Sequence, residues 1–169
     1  MSKTLVKPQA RNATRNDPAA EALRRFRLIF NAVKTHFREV EKKAGLAGAQ
    51  LWALSVVRGT PGIGVSELAS EMDVHQSTAS NLLKSLVTGG LVEVERSSTD
   101  RRALALRVSP AGLKVLKRAP GPFSGVLPEA LASLDTPALI RLNRDLDKVI
   151  QALGVDKRAA NIPLGQPDT

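Results

Sequence analysis

At 169 residues and 18.1 kDa, the chain is long enough for one domain, or for one compact domain with tails. Its 25 Lys and Arg against 16 Asp and Glu leave a formal charge of +9 and a pI near 10.5, which favours a polyanionic partner: nucleic acid first, an anionic membrane surface second. Cysteine is absent, which excludes disulfides, thiolate zinc fingers, iron–sulfur clusters and thiol redox sensing, and two histidines, His36 and His75, are too few for a multi-histidine metal site.

Residues 1–17 carry Lys3, Lys7, Arg11 and Arg15 with no helical or strand period, and read as a mobile basic arm or a solvated tail. Asp17-Pro18 is an N-cap followed by proline at the first helical position. From there Leu23, Phe26, Phe30, Val33, Phe37 and Val40 recur every three or four residues, a heptad-like stripe on a long helix. Lys42 and Lys43 suit its last turn, and Gly45 suits a left-handed cap. So long a stripe predicts packing against a partner subunit as well as the chain's own core.

A second helix is predicted from about Gly48 to Arg58, stopped by the glycine- and proline-rich turn at 59–62. The glycines of 59–64 are not a phosphate loop, because no strand precedes them and no Lys-Ser or Lys-Thr follows. Gly64 opens a short helix at Val65, with Glu67 placed to receive its exposed amides. After a turn at Asp73-Val74, a further helix runs from His75 or Gln76 to Thr88. Its buried face is expected to be Ala79, Leu82, Leu83, Leu86 and Val87, and its outer face Gln76, Ser77, Ser80, Asn81 and Lys84. Two helices joined this way make a helix-turn-helix.

Leu91 to Arg96 and Ala103 to Val108 alternate as two strands, joined by the polar tip Ser97-Ser98-Thr99-Asp100-Arg101-Arg102, a β-hairpin wing. Ser109-Pro110 opens another helix, broken by Pro120-Gly121-Pro122; the stretch 123–134, which contains Pro128, reads as irregular. Thr136-Pro137 opens the last helix, with Leu139, Leu142, Leu146, Val149 and Leu153 at helical spacing and Gly154 at its end. Residues 155–169 read as a disordered tail.

The block at 64–112 is similar to the MarR-type transcriptional regulators. The resemblance rests on Val65-Ser66-Glu67-Leu68-Ala69, Ser77-Thr78-Ala79-Ser80, Gly90-Leu91-Val92, the wing residues Asp100-Arg101-Arg102, and the run ending Val108-Ser109-Pro110-Ala111-Gly112. It implies a mainly α fold with a small β wing. Residues 46–109 would be the winged helix-turn-helix, and 18–45 with 110–154 the dimerisation region built from the first and last helices. It also implies that Arg102 enters the minor groove and that Asp100 orients it. Two positions depart from the family pattern: His75 stands where a capping Ser or Asp is usual, and Asn81 where Arg is frequent.

Base-edge readout needs short polar side chains on one helix face. Gln76, Ser77, Thr78, Ser80, Asn81 and Lys84 supply them, with Asn81 suited to adenine and Lys84 to guanine or phosphate. Arg101 and Arg102 at the wing tip suit a narrow minor groove, while Arg96 and Arg107 serve either phosphates or solvent. Relatives of this type often bind small aromatic or phenolic acids. Here Arg27, Phe30, His36, Trp52 and Arg58 are the candidate effector residues, although Trp52 is equally a core residue and His36 a plain helical histidine. No cofactor or metal is expected.

The expected partners are therefore double-stranded DNA, a second copy of the chain and a small aromatic effector. Aromatics at 3% are too few for a single-strand binder that stacks bases. No apolar run reaches the roughly 20 residues of a membrane span, and the first residues lack a signal peptide's apolar stretch, so a cytoplasmic location is expected. An enzyme is disfavoured because no nucleophile stands with a plausible base. A sequence-tolerant architectural protein and a winged-helix protein-interaction module are the other readings.

Overall fold

The computed structural model describes residues 17–96 and 104–164. Seven α-helices and one hairpin follow in order: α1 (Pro18–Ala44), α2 (Gly48–Gly59), α3 (Val65–Glu71), α4 (Gln76–Thr88), β1 (Val92–Arg96), β2 (Leu104–Val108), α5 (Pro110–Arg118), α6 (Val126–Ala132) and α7 (Thr136–Leu153), before a 3-10 helix at Lys157–Asn161.

The helix ends obey the local signals. Asp17 accepts from Ala19 N at 3.0 Å, and Gly45 closes α1 in the left-handed region with φ 70°. Ser109 and Asp135 cap α5 and α7 in the same way, each followed closely by proline. At α3, Gly64 N donates to Glu67 Oε2 at 3.0 Å.

The core sits where α2, α3, α4 and the hairpin meet. Leu51, Leu54, Val57, Leu68, Met72, Leu86 and Leu106 are fully enclosed there, and α1 adds Val40 from its C-terminal half. Strands β1 and β2 pair antiparallel with Val92 opposite Val108 and Arg96 opposite Leu104. The turn after α2 lies along the other edge of β2: Gly62 N donates to Leu106 O at 2.8 Å, and Leu106 N to Ile63 O at 3.1 Å. That edge is therefore covered.

Burial departs from the sequence reading in four places. On α1 the buried residues are His36, Val40 and Ala44, whereas Leu23 and Phe30 are exposed, because among the described residues no other element covers the first half of a helix this long. On α4, Val87 is exposed, because at about 100° per residue it falls at the margin of the face formed by Ala79, Leu82, Leu83 and Leu86, which are buried. The stretch read as irregular holds α6; Pro128 is the third residue of its first turn, where the missing N–H has no intrahelical partner to lose. Gly125, with φ 103°, makes the sharp entry. The tail reading from 155 is also corrected for 155–164. A 3-10 helix forms there, Asn161 Nδ2 comes within 3.2 Å of His75 Nε2, and Leu164 reaches the neighbourhood of Trp52.

A tight seam joins the wing to α5. Ser109 N donates to Leu91 O at 3.0 Å, Ser109 Oγ donates to Gly90 O at 2.7 Å, and Gly112 N donates to Ser109 Oγ at 3.1 Å. A Cβ at Gly112 would overlap the Leu91 carbonyl oxygen and the Val108 side chain. Gly112→Ala is therefore expected to cost about 2–3 kcal/mol in urea unfolding. Gly59→Ala, which meets nothing within 4 Å at the end of α2, should be neutral or stabilising by up to about 1 kcal/mol. Equal effects at the two sites would contradict the seam.

Candidate nucleic-acid interface

The helix-turn-helix is set by backbone geometry. Val74 N donates to Ala69 O at 3.0 Å, and Asp73 takes φ 51°, a left-handed conformation that Asp tolerates better than most residues. The chain then reverses into α4, whose N-cap His75 makes no side-chain capping bond, in keeping with imidazole's poor fit to that role. Gln76 Nε2 instead donates across the turn to Ser66 Oγ at 3.1 Å.

Packing sorts α4 into two faces. Ala79, Leu82, Leu83 and Leu86 are buried, and Gln50 Nε2 donates to Ser85 Oγ at 2.7 Å, fixing α4 against α2. Gln76, Ser77, Ser80, Asn81 and Lys84 are all exposed, and Thr78 is half-buried. Ser77, Ser80, Asn81 and Lys84 are spaced i, i+3, i+4, i+7, so they share one side over two turns. No acidic residue lies on α4. The structure thus brings together the major-groove set read from the sequence, with Thr78 at its margin.

Strand β1 of the wing packs on α4, and the tip residues Asp100, Arg101 and Arg102 lie outside the described residues. Arg107 Nε pairs with Glu95 Oε2 at 3.1 Å across the hairpin, with both side chains about half exposed. Carboxyl groups held below their ordinary range lie away from the reading face. Glu21 is lowered by a hydrogen bond and charge from Arg25, and Asp145 by a hydrogen bond and charge from Lys148.

The five candidate effector residues are not gathered into one site. An apolar cavity of about 60 Å³ is lined by Val33, Phe37, Trp52, the α6 entry at 124–128 and Leu164, so of the five it includes Trp52 only. Arg27 and Phe30 lie exposed on the uncovered half of α1. Arg58 stands over the Phe123 ring at 5.6 Å, a cation–π contact that ties α2 to the loop before α6. Val33 and Phe37 were legible only as members of the α1 packing stripe, and 124–128 and Leu164 carried no signal, because only tertiary folding brings them to Trp52.

His36 is 8% exposed, its ring centroid 5.6 Å from that of Phe37, and its Nε2 has no hydrogen-bond partner among the described residues. A buried polar atom left unpaired lowers stability by about 1–3 kcal/mol. His36→Leu is accordingly expected to raise the unfolding free energy by about 1–2 kcal/mol in chemical denaturation. A loss instead would reveal a partner for Nε2 in the assembled protein.

Comparison with known proteins agrees with this geometry. Residues 44–103 match the model of the MarR family. The putative transcriptional regulatory protein for the hcr operon of Thauera aromatica is 31% identical over 87 residues, which are 52% of either chain. The chain thus spans about half the length of the curated relative it matches. Among solved structures, a MepR-like protein complexed with pseudoligands superposes with a TM-score of 0.53 at 18% identity, covering 83% of this chain and all of that one. Streptococcus pneumoniae FabT in complex with DNA gives 0.52 at 16% identity, covering 82% of this chain and 98% of that one. A mutant of MarR from E. coli complexed with operator DNA gives 0.51 at 20% identity, over 79% and 99%. The fold is the winged helix-turn-helix, and segment 44–103 is similar to the MarR family.

Proposed function

We propose that this chain, with its MarR-like segment at 44–103, is a sequence-specific, double-stranded-DNA-binding transcriptional regulator acting as a homodimer. The observation that carries the reading is the outer face of α4: five exposed polar or basic side chains, short enough for a major groove, on a helix whose other face is locked into the core. Asn81 pairs with adenine, Lys84 reaches guanine or a phosphate, and Arg101 with Arg102 occupies the minor groove, Asp100 orienting Arg102.

The dimer reading is supported by apolar surface that the monomer leaves uncovered. Phe30 is 65%, Ile140 63% and Leu153 67% exposed, and α7 buries no residue at all although its apolar positions recur at helical spacing. Residues 18–45 and 110–154 would supply the interface. Two copies related by a two-fold axis read half-sites about one helical turn apart, so the operator is pseudo-palindromic. A dimer seated on such a site excludes polymerase from an overlapping promoter, hence repression.

Release by a small aromatic effector is the remaining part of the reading. The cavity beside Trp52 is apolar, and at about 60 Å³ it is well below the roughly 300 Å³ of a small-ligand pocket, so entry requires α6 or Leu164 to move.

Selection of bound duplexes from a random library should return a pseudo-palindrome that beats random duplex by roughly 10³ or more. Uniform, steeply salt-dependent binding would support an architectural role instead. On the selected operator, Asn81→Ala should cost about 1–3 kcal/mol of discrimination at one position of each half-site, whereas Arg101→Ala with Arg102→Ala should weaken binding to most sequences. Parental binding by both variants would refute the site. Phe30→Asp should halve the mass seen in sedimentation equilibrium; a parent already monomeric would refute the dimer.

A further inference from the structure

The geometry points to a second DNA-backbone surface on the outer side of α1, separate from the reading face of α4. The inference rests on the duplex-binding function proposed above and adds where the non-specific attraction resides.

Charge is segregated along the chain. Between 44 and 109, six cations (Arg58, Lys84, Arg96, Arg101, Arg102, Arg107) are matched by six anions (Glu67, Glu71, Asp73, Glu93, Glu95, Asp100). Residues 1–43 hold eleven Lys and Arg against four Asp and Glu. Attraction to DNA that ignores sequence scales with the number of phosphates neutralised. A reading block without net charge leaves most of that attraction to other parts of the chain.

On α1 the cations are ordered. Arg24, Arg27, Lys34, Arg38 and Lys42 follow one another at steps of three, seven, four and four, which keeps them on one side of the helix. At 1.5 Å per residue the line is about 27 Å long, and each DNA strand presents a phosphate every 3.4 Å or so along the axis. Asn31 stands in its middle, and Glu21, Glu39 and Glu41 lie to either side. All five cations are exposed, and none joins an ion pair among the described residues, whereas Arg25, off the line, is paired with Glu21.

A face that is merely solvated gains from Glu four residues before Lys. Here Lys34, Arg38 and Lys42 instead place like charges at i, i+4, a repulsion that Glu39 and Glu41, three residues from Lys42 and Arg38, offset only in part. A polyanion laid along the line removes that repulsion. The apolar residues Leu23, Phe26, Phe30 and Val33 occupy a neighbouring side, so a dimer formed through them leaves the basic line open. Helix α5, packed against α1, adds exposed Lys114, Lys117 and Arg118 and no acidic residue. Helix α1 packs chiefly on α2, α5 and α6, whereas α4 packs on α2, α3 and β1. The two DNA surfaces are therefore distinct. The phosphates come from the flanks of the bound duplex or from a second duplex.

The test compares the full chain with the variant Arg24→Gln, Arg27→Gln, Lys34→Gln, Arg38→Gln in anisotropy titrations between about 50 and 200 mM salt. Duplexes are the selected operator alone, the operator with about two helical turns of random flank on each side, and random DNA. The variant should bind random duplex at least about tenfold more weakly at low salt, its slope of log Kd against log salt shallower by roughly 2–4, with base preference unchanged. A version with Lys at the three arginines should keep the parental slope, and circular dichroism should show parental helicity in both. An effect confined to flanked duplexes assigns the phosphates to the flanks; capture of a second labelled duplex on operator-coated beads, lost in the variant, assigns them to another molecule. A variant with the parent's affinity and slope on every duplex overturns the inference and leaves the α4 reading intact. Reduced binding to anionic vesicles with DNA binding unchanged also overturns it. A parent that binds no duplex refutes both proposals together.

Discussion

The absence of a side chain at Gly112 is the constraint on which the arrangement of the reading elements depends. There α5 begins against the Leu91 carbonyl, and Ser109 bonds both to Gly90 at the exit of α4 and to the first turn of α5. The end of α4, the start of the wing and the start of α5 thus meet within a few residues. On the other edge of β2, the turn after α2 completes the lock through Gly62 and Ile63. The angle between α4 and the hairpin is therefore set by the backbone of several segments and not by one flexible loop. The proposed reading of two grooves needs that stiffness, because a groove contact displaced by an ångström loses its hydrogen bond.

Much of this was legible in the sequence where the determinant is local. Asp17-Pro18, Ser109-Pro110 and Thr136-Pro137 marked three helix starts, and the two faces of α4 followed from a 3.6-residue period, apart from Val87. What was missed depends on contacts between distant segments. Pro128 reads as a breaker until its place in a first turn is known. Asn161 gave no sign that it returns to His75, eighty-six residues away. The effector set Arg27, Phe30, His36, Trp52 and Arg58 was assembled from residue type, and burial separated it: two lie on uncovered helix, one is enclosed, one stacks on Phe123 and one lines a cavity. The apolar stripe of α1 was visible as a period, but the period does not say that its first half lacks a partner among the described residues.

In the proposed function, specificity and attraction are divided between different parts of the molecule. The helix-turn-helix and wing balance their charges, which limits indiscriminate binding by the surface that must choose a sequence. The surplus lies on α1 and the residues before it. If both proposals hold, changes in ionic strength act mainly on how long the protein stays near DNA, and substitutions on α4 mainly on where it stops. A chain with a strongly basic α4 would couple the two.

Trp52 is the only tryptophan in a chain with no tyrosine, and it stands half-buried beside the cavity that α1, α6 and Leu164 close. Near-ultraviolet emission from the protein therefore has a single origin, at the place where a displaced α6 would first admit water. The molecule carries its own optical probe of that cavity, and the lack of cysteine means that a thiol-reactive dye can be placed anywhere by a single substitution without competing labels.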